Sequence, residues 1–181
     1  MPARWLLNRA LRERDWGDIG TISRTEFESR PEYALSARNR HRDPLYWTPP
    51  GGESIAHVSE NRVRNVLDTL HREASGRVIA VTHGEMMMAF RLTLERLSDE
   101  GYEALDADPT QRLPNCAVLH YSRRGPGTSR TSSGDPLRWL RRAAPVLGRG
   151  DQDGEPEWEM QVGEWERIEP GTYDTEALLG W

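Results

Sequence analysis

Arg77-Val78-Ile79-Ala80-Val81-Thr82-His83-Gly84-Glu85 constrains this chain more than any other stretch. Val78 to Thr82 is an apolar, β-branched run of the length expected for one strand buried on both faces. A His-Gly pair ends it. Beyond it Met87, Phe90, Leu94 and Leu97 recur at helical spacing. Strand, histidine, glycine and helix, in that order, put a reactive side chain at the carboxyl edge of a parallel sheet, where open α/β sheets bind ligands. Gly84 permits a sharp turn, and the N-terminus of the following helix favours an anion. The same residues would also serve a plain strand-to-helix turn with a structural histidine, and the stretch by itself does not choose between the two.

The flanks extend this unit. Ile55, Val58, Val63, Val66, Leu67, Leu70 and Ala74 follow helical spacing, with Ser54 as N-cap and Gly76 closing the helix. Helix 55–74, strand 78–82 and helix 85–98 make an αβα unit, and right-handed crossovers then call for a parallel sheet with helices on its faces. Upstream, Ser23-Arg24-Thr25-Glu26 is a capping box, so a helix should begin at about Arg24. Pro31 suits the start of a second helix running to about Arg40. Arg38, Arg40, His41 and Arg42 gather there, as cations do at a solvated helix C-terminus. Asp43 to Gly52, with three prolines and two glycines, is turn.

Downstream, Tyr102 to Leu105 fits one more helical turn, and Pro114 to Tyr121 reads as a further strand. Arg123 to Arg149 carries seven Arg and one acid, whereas Asp151 to Glu166 carries seven acids and no base. Residues 123–156 therefore read as an Arg-rich, then acidic, insertion or flexible loop whose halves partly neutralise each other. A weaker account makes it a docking arm with Leu137, Trp139 and Leu140 as its apolar contact. Trp158, Met160 and Val162 alternate with Glu157, Glu159 and Gln161, which predicts a half-exposed strand antiparallel to 116–121. The expected organisation is a partial α/β domain over 1–122, the insertion over 123–156, and a closing strand and tail over 157–181.

Composition removes several chemistries. All 24 basic residues are Arg, so neither a Schiff-base lysine nor a phosphate-loop lysine exists. Anions must be held by Arg, His or backbone N–H groups. The single Cys116 excludes an intrachain disulfide and cysteine-rich zinc sites. A net charge of -5 argues against a nucleic-acid partner. No signal-peptide pattern opens the chain and no apolar run approaches the ~18 residues of a membrane span, so a cytoplasmic protein with no membrane partner is expected.

Four motifs stand in order: Leu11-Arg12-Glu13-Arg14-Asp15-Trp16-Gly17, Pro50-Gly51-Gly52-Glu53-Ser54, Val81-Thr82-His83-Gly84-Glu85 and Pro114-Asn115-Cys116. Together they closely resemble the histidine phosphatase superfamily, the phosphoglycerate mutase-like proteins, over roughly residues 5 to 122. The resemblance implies a three-layer αβα fold of phosphoglycerate mutase type, lacking its first strand or strands. It implies that Glu13 is the proton donor and His83 the second histidine, in contact with the transferring phosphoryl group. Arg14 and Trp16 in the loop beside the substrate, Gly84 and Glu85 just after the histidine, and Glu53 before the long helix would all be substrate-binding. The implied partner is a small phosphorylated substrate. No cofactor and no metal are implied, and a homodimer is compatible with the resemblance.

One departure outweighs the matches. The family begins with a strand ending in Arg-His-Gly, whose histidine is phosphorylated, and a second phosphate-binding Arg follows it. Nothing here matches either. His41, His57, His71 and His120 neither follow an apolar strand nor precede glycine. The reaction needs a neutral imidazole to attack phosphorus, cationic and N–H donors around the equatorial oxygens, and an acid for the leaving alkoxide. Glu13 supplies the acid and His83 part of the clamp. The expectation is a chain impaired in hydrolysis or transfer of a phosphoryl group, whose full-length form would be active. A degenerate relative that binds a phosphorylated ligand without turnover, and an interaction protein using the Arg-rich arm, are the alternatives.

Overall fold

The computed structural model describes residues 5–74, 76–127, 136–148 and 157–169, which form two compact units, 1–107 and 108–181. The acidic stretch from 151 to 156 and the tail from 170 lie outside the described residues.

The first unit is helical. Helix α1 spans Arg24–Ser29, and the Ser23 side chain accepts from the Glu26 N–H at 3.1 Å, as the capping box requires. A 3-10 turn at Pro31–Tyr33 leads into α2, Ala34–Arg42. The expected long helix is present in three pieces: α3 at Ile55–Val58, a wider π-helical turn at Ser59–Val63, and α4 at Arg64–Glu73. Ser54 caps it by accepting from the His57 N–H. Helix α5 is Gly84–Leu94 and α6 is Asp99–Ala107.

Leu45, Ile55, Val58, Val63, Met86, Ala89 and Tyr102 form the main core. On α5 the fully buried edge is Met86 and Ala89, one residue before the Met87–Phe90 edge that spacing suggests. A smaller cluster joins Ile19, Phe27, Ala37 and Trp47. No helix among the described residues is long and apolar enough to cross a membrane.

Residues 78–82 correct a central expectation. They run extended but pair with no strand among the described residues, so no parallel sheet forms around them. Ile79 is 82% exposed and Val81 74%. A β-branched run specifies an extended backbone, but a strand exists only beside a hydrogen-bonding neighbour, and none stands there.

The sheet lies in the second unit. Strands β1 (Val118–Ser122), β2 (Trp139–Leu147) and β3 (Trp158–Arg167) form an antiparallel meander in that order. Two further corrections follow. Strand β2 falls inside the segment read as an insertion, and β3 pairs with β2, not with 116–121. Arg141, Arg142 and Pro145 hide β2 in the sequence. Strand β1 reaches only to Ala143, so Pro145 lies where β2 has a single neighbour and its missing N–H breaks no second ladder. A bulge between Arg141 and Ala143 shifts the register to β3. Nearby, Trp165 stacks against His120 at 4.9 Å and lies under Arg141 at 4.7 Å.

Candidate functional site

The site is built from two backbone segments laid against each other. Asp18 N–H donates to the Pro50 carbonyl and Glu53 N–H to the Asp15 carbonyl, each at 2.9 Å. Gly17 makes this approach possible. Its φ is +52°, and a Cβ there would stand 2.0 Å from the Pro50 oxygen. A Cβ on Gly52 would meet the Asp15 oxygen at 2.4 Å. The glycines in the two motifs therefore serve one contact.

Glu53 sits at the junction. Its carboxylate accepts from Arg12 at 3.1 and 3.3 Å, from the Asp15 N–H at 3.0 Å and from Arg62 at 2.8 Å. Burial alone would raise this carboxyl. The Asp15 N–H and the charges of Arg62 and Arg12 outweigh burial and hold it below the usual range. Both oxygens are taken by protein donors, so Glu53 braces the loop and is not left open for a substrate.

Arg62 is the residue that reading the sequence missed. It is buried in the π-helical turn and grips the loop before Glu13. Its guanidinium donates to the Ala10 carbonyl at 3.1 and 2.9 Å, to the Arg12 carbonyl, and to the Glu13 carbonyl at 3.4 Å. The signal was present: Arg62 stands four residues after Val58 and four before Val66, on the apolar stripe itself. An Arg on such a stripe is buried only if paired, and its partners lie some fifty residues upstream.

Arg14 is buried, with its side chain 2% exposed. Its guanidinium lies 4.0 Å above the Trp16 ring and 5.7 Å from that of Trp47, and Arg40 approaches the same two rings at 5.3 and 5.7 Å. Arg14 reaches Glu85 at 3.5 Å, and its Nε has no partner. Burial raises the Glu85 carboxyl; Arg14 and Arg40 pull it down, Glu13 and Asp106 push it up, and the net direction is upward. Burial, then Glu85 and Asp106, also raise the Tyr102 hydroxyl, which stays protonated.

Extended residues 78–83 meet this loop through Thr82, whose hydroxyl donates to the Leu11 carbonyl at 2.7 Å. The Arg14–Glu85 pair makes a second tie. Glu13 accepts from the Arg14 N–H at 2.8 Å, and its charge acts on Glu85. Glu13, Arg14, Trp16 and Glu85 are thus gathered, with His83 and Gly84 adjoining. His83 is exposed and is the N-cap of α5, which no side chain caps. Gly84 takes no left-handed backbone and has open space where a Cβ would stand, so the sharp-turn role expected of it is not used. What its missing side chain leaves is access to the helix end. A hollow of about 580 Å³ beside α2, lined by Glu32, Ser36, Arg42, Asp43 and Tyr46, shares only Trp47 with this cluster. Among the described residues, no three His, Cys, Asp or Glu side chains gather as a metal would require.

Comparison with known proteins bears on this arrangement. Residues 2–130 match the model of the histidine phosphatase superfamily (branch 1). The 2,3-bisphosphoglycerate-dependent phosphoglycerate mutase of Azorhizobium caulinodans is 31% identical over 102 residues, 54% of this chain and 48% of that protein. The enzyme of the same name from Xanthobacter autotrophicus is 33% identical over 98 residues, 52% of this chain and 45% of that one. The chain thus spans about half the length of these curated relatives. Among solved structures, mycobacterial hydrolase 1 superposes with a TM-score of 0.51 at 20% identity, covering 86% of this chain and 61% of that one. The mycobacterial glucosyl-3-phosphoglycerate phosphatase complexed with VO3 gives 0.50 at 19%, covering 87% and 63%. At such identities the likeness establishes the fold, which is α/β of phosphoglycerate mutase type, as expected from the motifs. With its family model matched over well over half of its length, the chain belongs to the histidine phosphatase superfamily.

Proposed function

We propose that this chain carries the acid and part of the anion clamp of a phosphoryl-transfer site, acting in the cytoplasm on a small phosphomonoester. The observation that carries the reading is the junction of the Glu13–Arg14 loop with the His83–Glu85 turn, through Thr82 to Leu11 at 2.7 Å and Arg14 to Glu85 at 3.5 Å. In the reaction proposed, an imidazole nitrogen bonds to phosphorus as the ester P–O bond breaks, and Glu13 gives its proton to the departing alkoxide. Water then attacks the phospho-histidine, or a second hydroxyl accepts the phosphoryl group. His83 and the uncapped N–H groups of α5 hold the phosphoryl oxygens. Arg14 adds positive charge close by.

No residue of this sequence matches the family's attacking histidine, so the 181-residue chain is proposed to bind the phosphoryl group and to turn it over poorly. The names of the curated relatives make phosphoglycerates the first esters to try. The test has two arms. Hydrolysis of an aryl phosphate is followed in EDTA for the chain, Glu13→Gln and His83→Ala. Amide shifts of Gly84 and Glu85 are followed as inorganic phosphate is added. Phosphate-dependent shifts that His83→Ala abolishes, with turnover near background, are expected. Amides that do not respond to phosphate overturn the reading, and His83-dependent robust turnover overturns the impairment.

A further inference from the structure

We propose that Glu85 is an internal competitor for the anion in this site: its carboxylate occupies the face of Arg14 that an incoming oxyanion would use, so that anion affinity is set by whether Glu85 carries charge. The inference rests on the anion-binding reading above and adds a control that reading does not contain.

A guanidinium is a planar fork whose Nε and Nη groups match two oxygens of one anion. In Arg14 one prong of that fork, the Nε, is unfilled. Its side chain is 2% exposed, its Nε has no partner, and the acid it reaches, Glu85, stands at 3.5 Å, at the long end for an ion pair. Stacking on Trp16 at 4.0 Å covers the face of the guanidinium but satisfies no N–H. A buried cation with an empty donor calls for an anion. Glu85 supplies the charge without the geometry, and it lies in the first turn of α5, at the same helix end that would hold the phosphoryl oxygens. A phosphate arriving there would meet a carboxylate of like sign on its cation.

The groups that face Glu85 decide how firmly it keeps that charge. Arg14 and Glu13 face it from the loop, Arg40 from α2, and Asp106 and Tyr102 from α6, while His83 precedes it on its own segment. Two acids stand against two cations, and burial tips the balance toward the protonated acid. Lowering the pH therefore removes the competitor, and raising it restores the charge. An ester with one phosphoryl group is then favoured over one that brings further negative charge to Arg14.

The test uses the whole chain and sulfate, which keeps its charge through the pH range, read from the Gly84 amide shift. Wild type and Glu85→Gln are titrated from mildly acidic to mildly alkaline pH. Glu85→Gln is expected to bind sulfate about ten- to a hundredfold more tightly above neutrality, with the gap closing in acid. Any pH effect common to the two proteins cancels, so the gap between them is the readout. In an Arg14→Gln background the gain from Glu85→Gln should shrink to the repulsion that Glu85 exerts at the helix end. Glu85→Ala serves as the second uncharged variant if Glu85→Gln fails to fold, and the same gap from wild type is read from it. Equal binding by the two proteins, or a gap that persists in acid, overturns this inference and leaves the anion site standing. No binding by either folded protein at any pH overturns both.

Discussion

Replacing Arg62 by Met is the most informative single perturbation. The apolar stem is kept and the guanidinium removed. The carbonyls of Ala10, Arg12 and Glu13 each lose a donor, and Glu53 loses its 2.8 Å partner. Removing one member of a buried ion pair typically costs about 3–5 kcal/mol. Glu53 keeps Arg12 and the Asp15 N–H, and water can reach part of the loop, so about 3 kcal/mol, the low end, is expected here. That is a large share of a domain stability of about 5–15 kcal/mol. Arg62→Lys should recover part of the loss, because an ammonium can still meet Glu53 but cannot span Ala10 and Arg12 together. The assay is urea unfolding by circular dichroism, with a cycle through Glu53→Gln to isolate the pair. The pH dependence has a definite sign. The Glu53 carboxyl is held below its unfolded value, so the pair stabilises the fold above that value. The benefit is lost as pH falls from about 4.3 through the folded value, and the cost of Arg62→Met should shrink over the same window. A loss under about 1 kcal/mol, or no coupling to Glu53, would refute the reasoning.

Gly17→Ala should lower the unfolding free energy by at least the ~1–2 kcal/mol of a left-handed non-glycine residue, since the added Cβ also strikes the Pro50 carbonyl, and so lower the urea midpoint; an unchanged midpoint would count against the docking of the two loops. Ile79→Lys should leave stability within about 0.5 kcal/mol and reduce aggregation measured by light scattering, because Ile79 is exposed on an unpaired extended run; a large destabilisation would mean that the run is covered. The Glu85 carboxyl is raised in the folded chain, so wild-type stability falls as pH climbs from the unfolded glutamate value toward the folded one. Glu85→Gln should remove that fall, as seen in parallel melting curves, and identical pH profiles would contradict the assignment.

Legibility in the sequence followed how local each determinant is. The capped helix starts at Ser23 and Ser54 were readable because cap and helix are neighbours. The apolar spacing of 55–74 found the long helix but not its wider π-helical turn, which a charge on the apolar stripe, Arg62, accompanies. Val78 to Thr82 states an extended backbone plainly, yet pairing depends on a second segment that no local pattern reports. Strand β2 was masked by Arg141, Arg142 and Pro145, which suit it only because its neighbours and its free end are where they are. For the site, motif order brought Glu13, Arg14, Trp16 and Glu85 to one place. The bracing role of Glu53 and the grip of Arg62 depend on contacts across dozens of residues and became visible only in three dimensions.

The hydrogen bond from Asp18 to Pro50 has a consequence for how this chain can change. It ties off residues 18–50 at the base, and inside the tie the excursion has its own apolar centre in Ile19, Phe27, Ala37 and Trp47. An excursion whose ends are pinned and whose interior packs on itself behaves as a cassette. Lengthening it costs little, since closure entropy grows only with the logarithm of length, about 0.6 kcal/mol per doubling. It also carries Arg40 and Trp47, which approach Trp16 and Arg14 from the cassette side. Among the described residues, Leu45 alone reaches from this stretch into the main core, so an exchange between Asp18 and Pro50 that keeps Leu45 would re-dress the mouth of the site while Glu13, Arg62 and His83 stay in place.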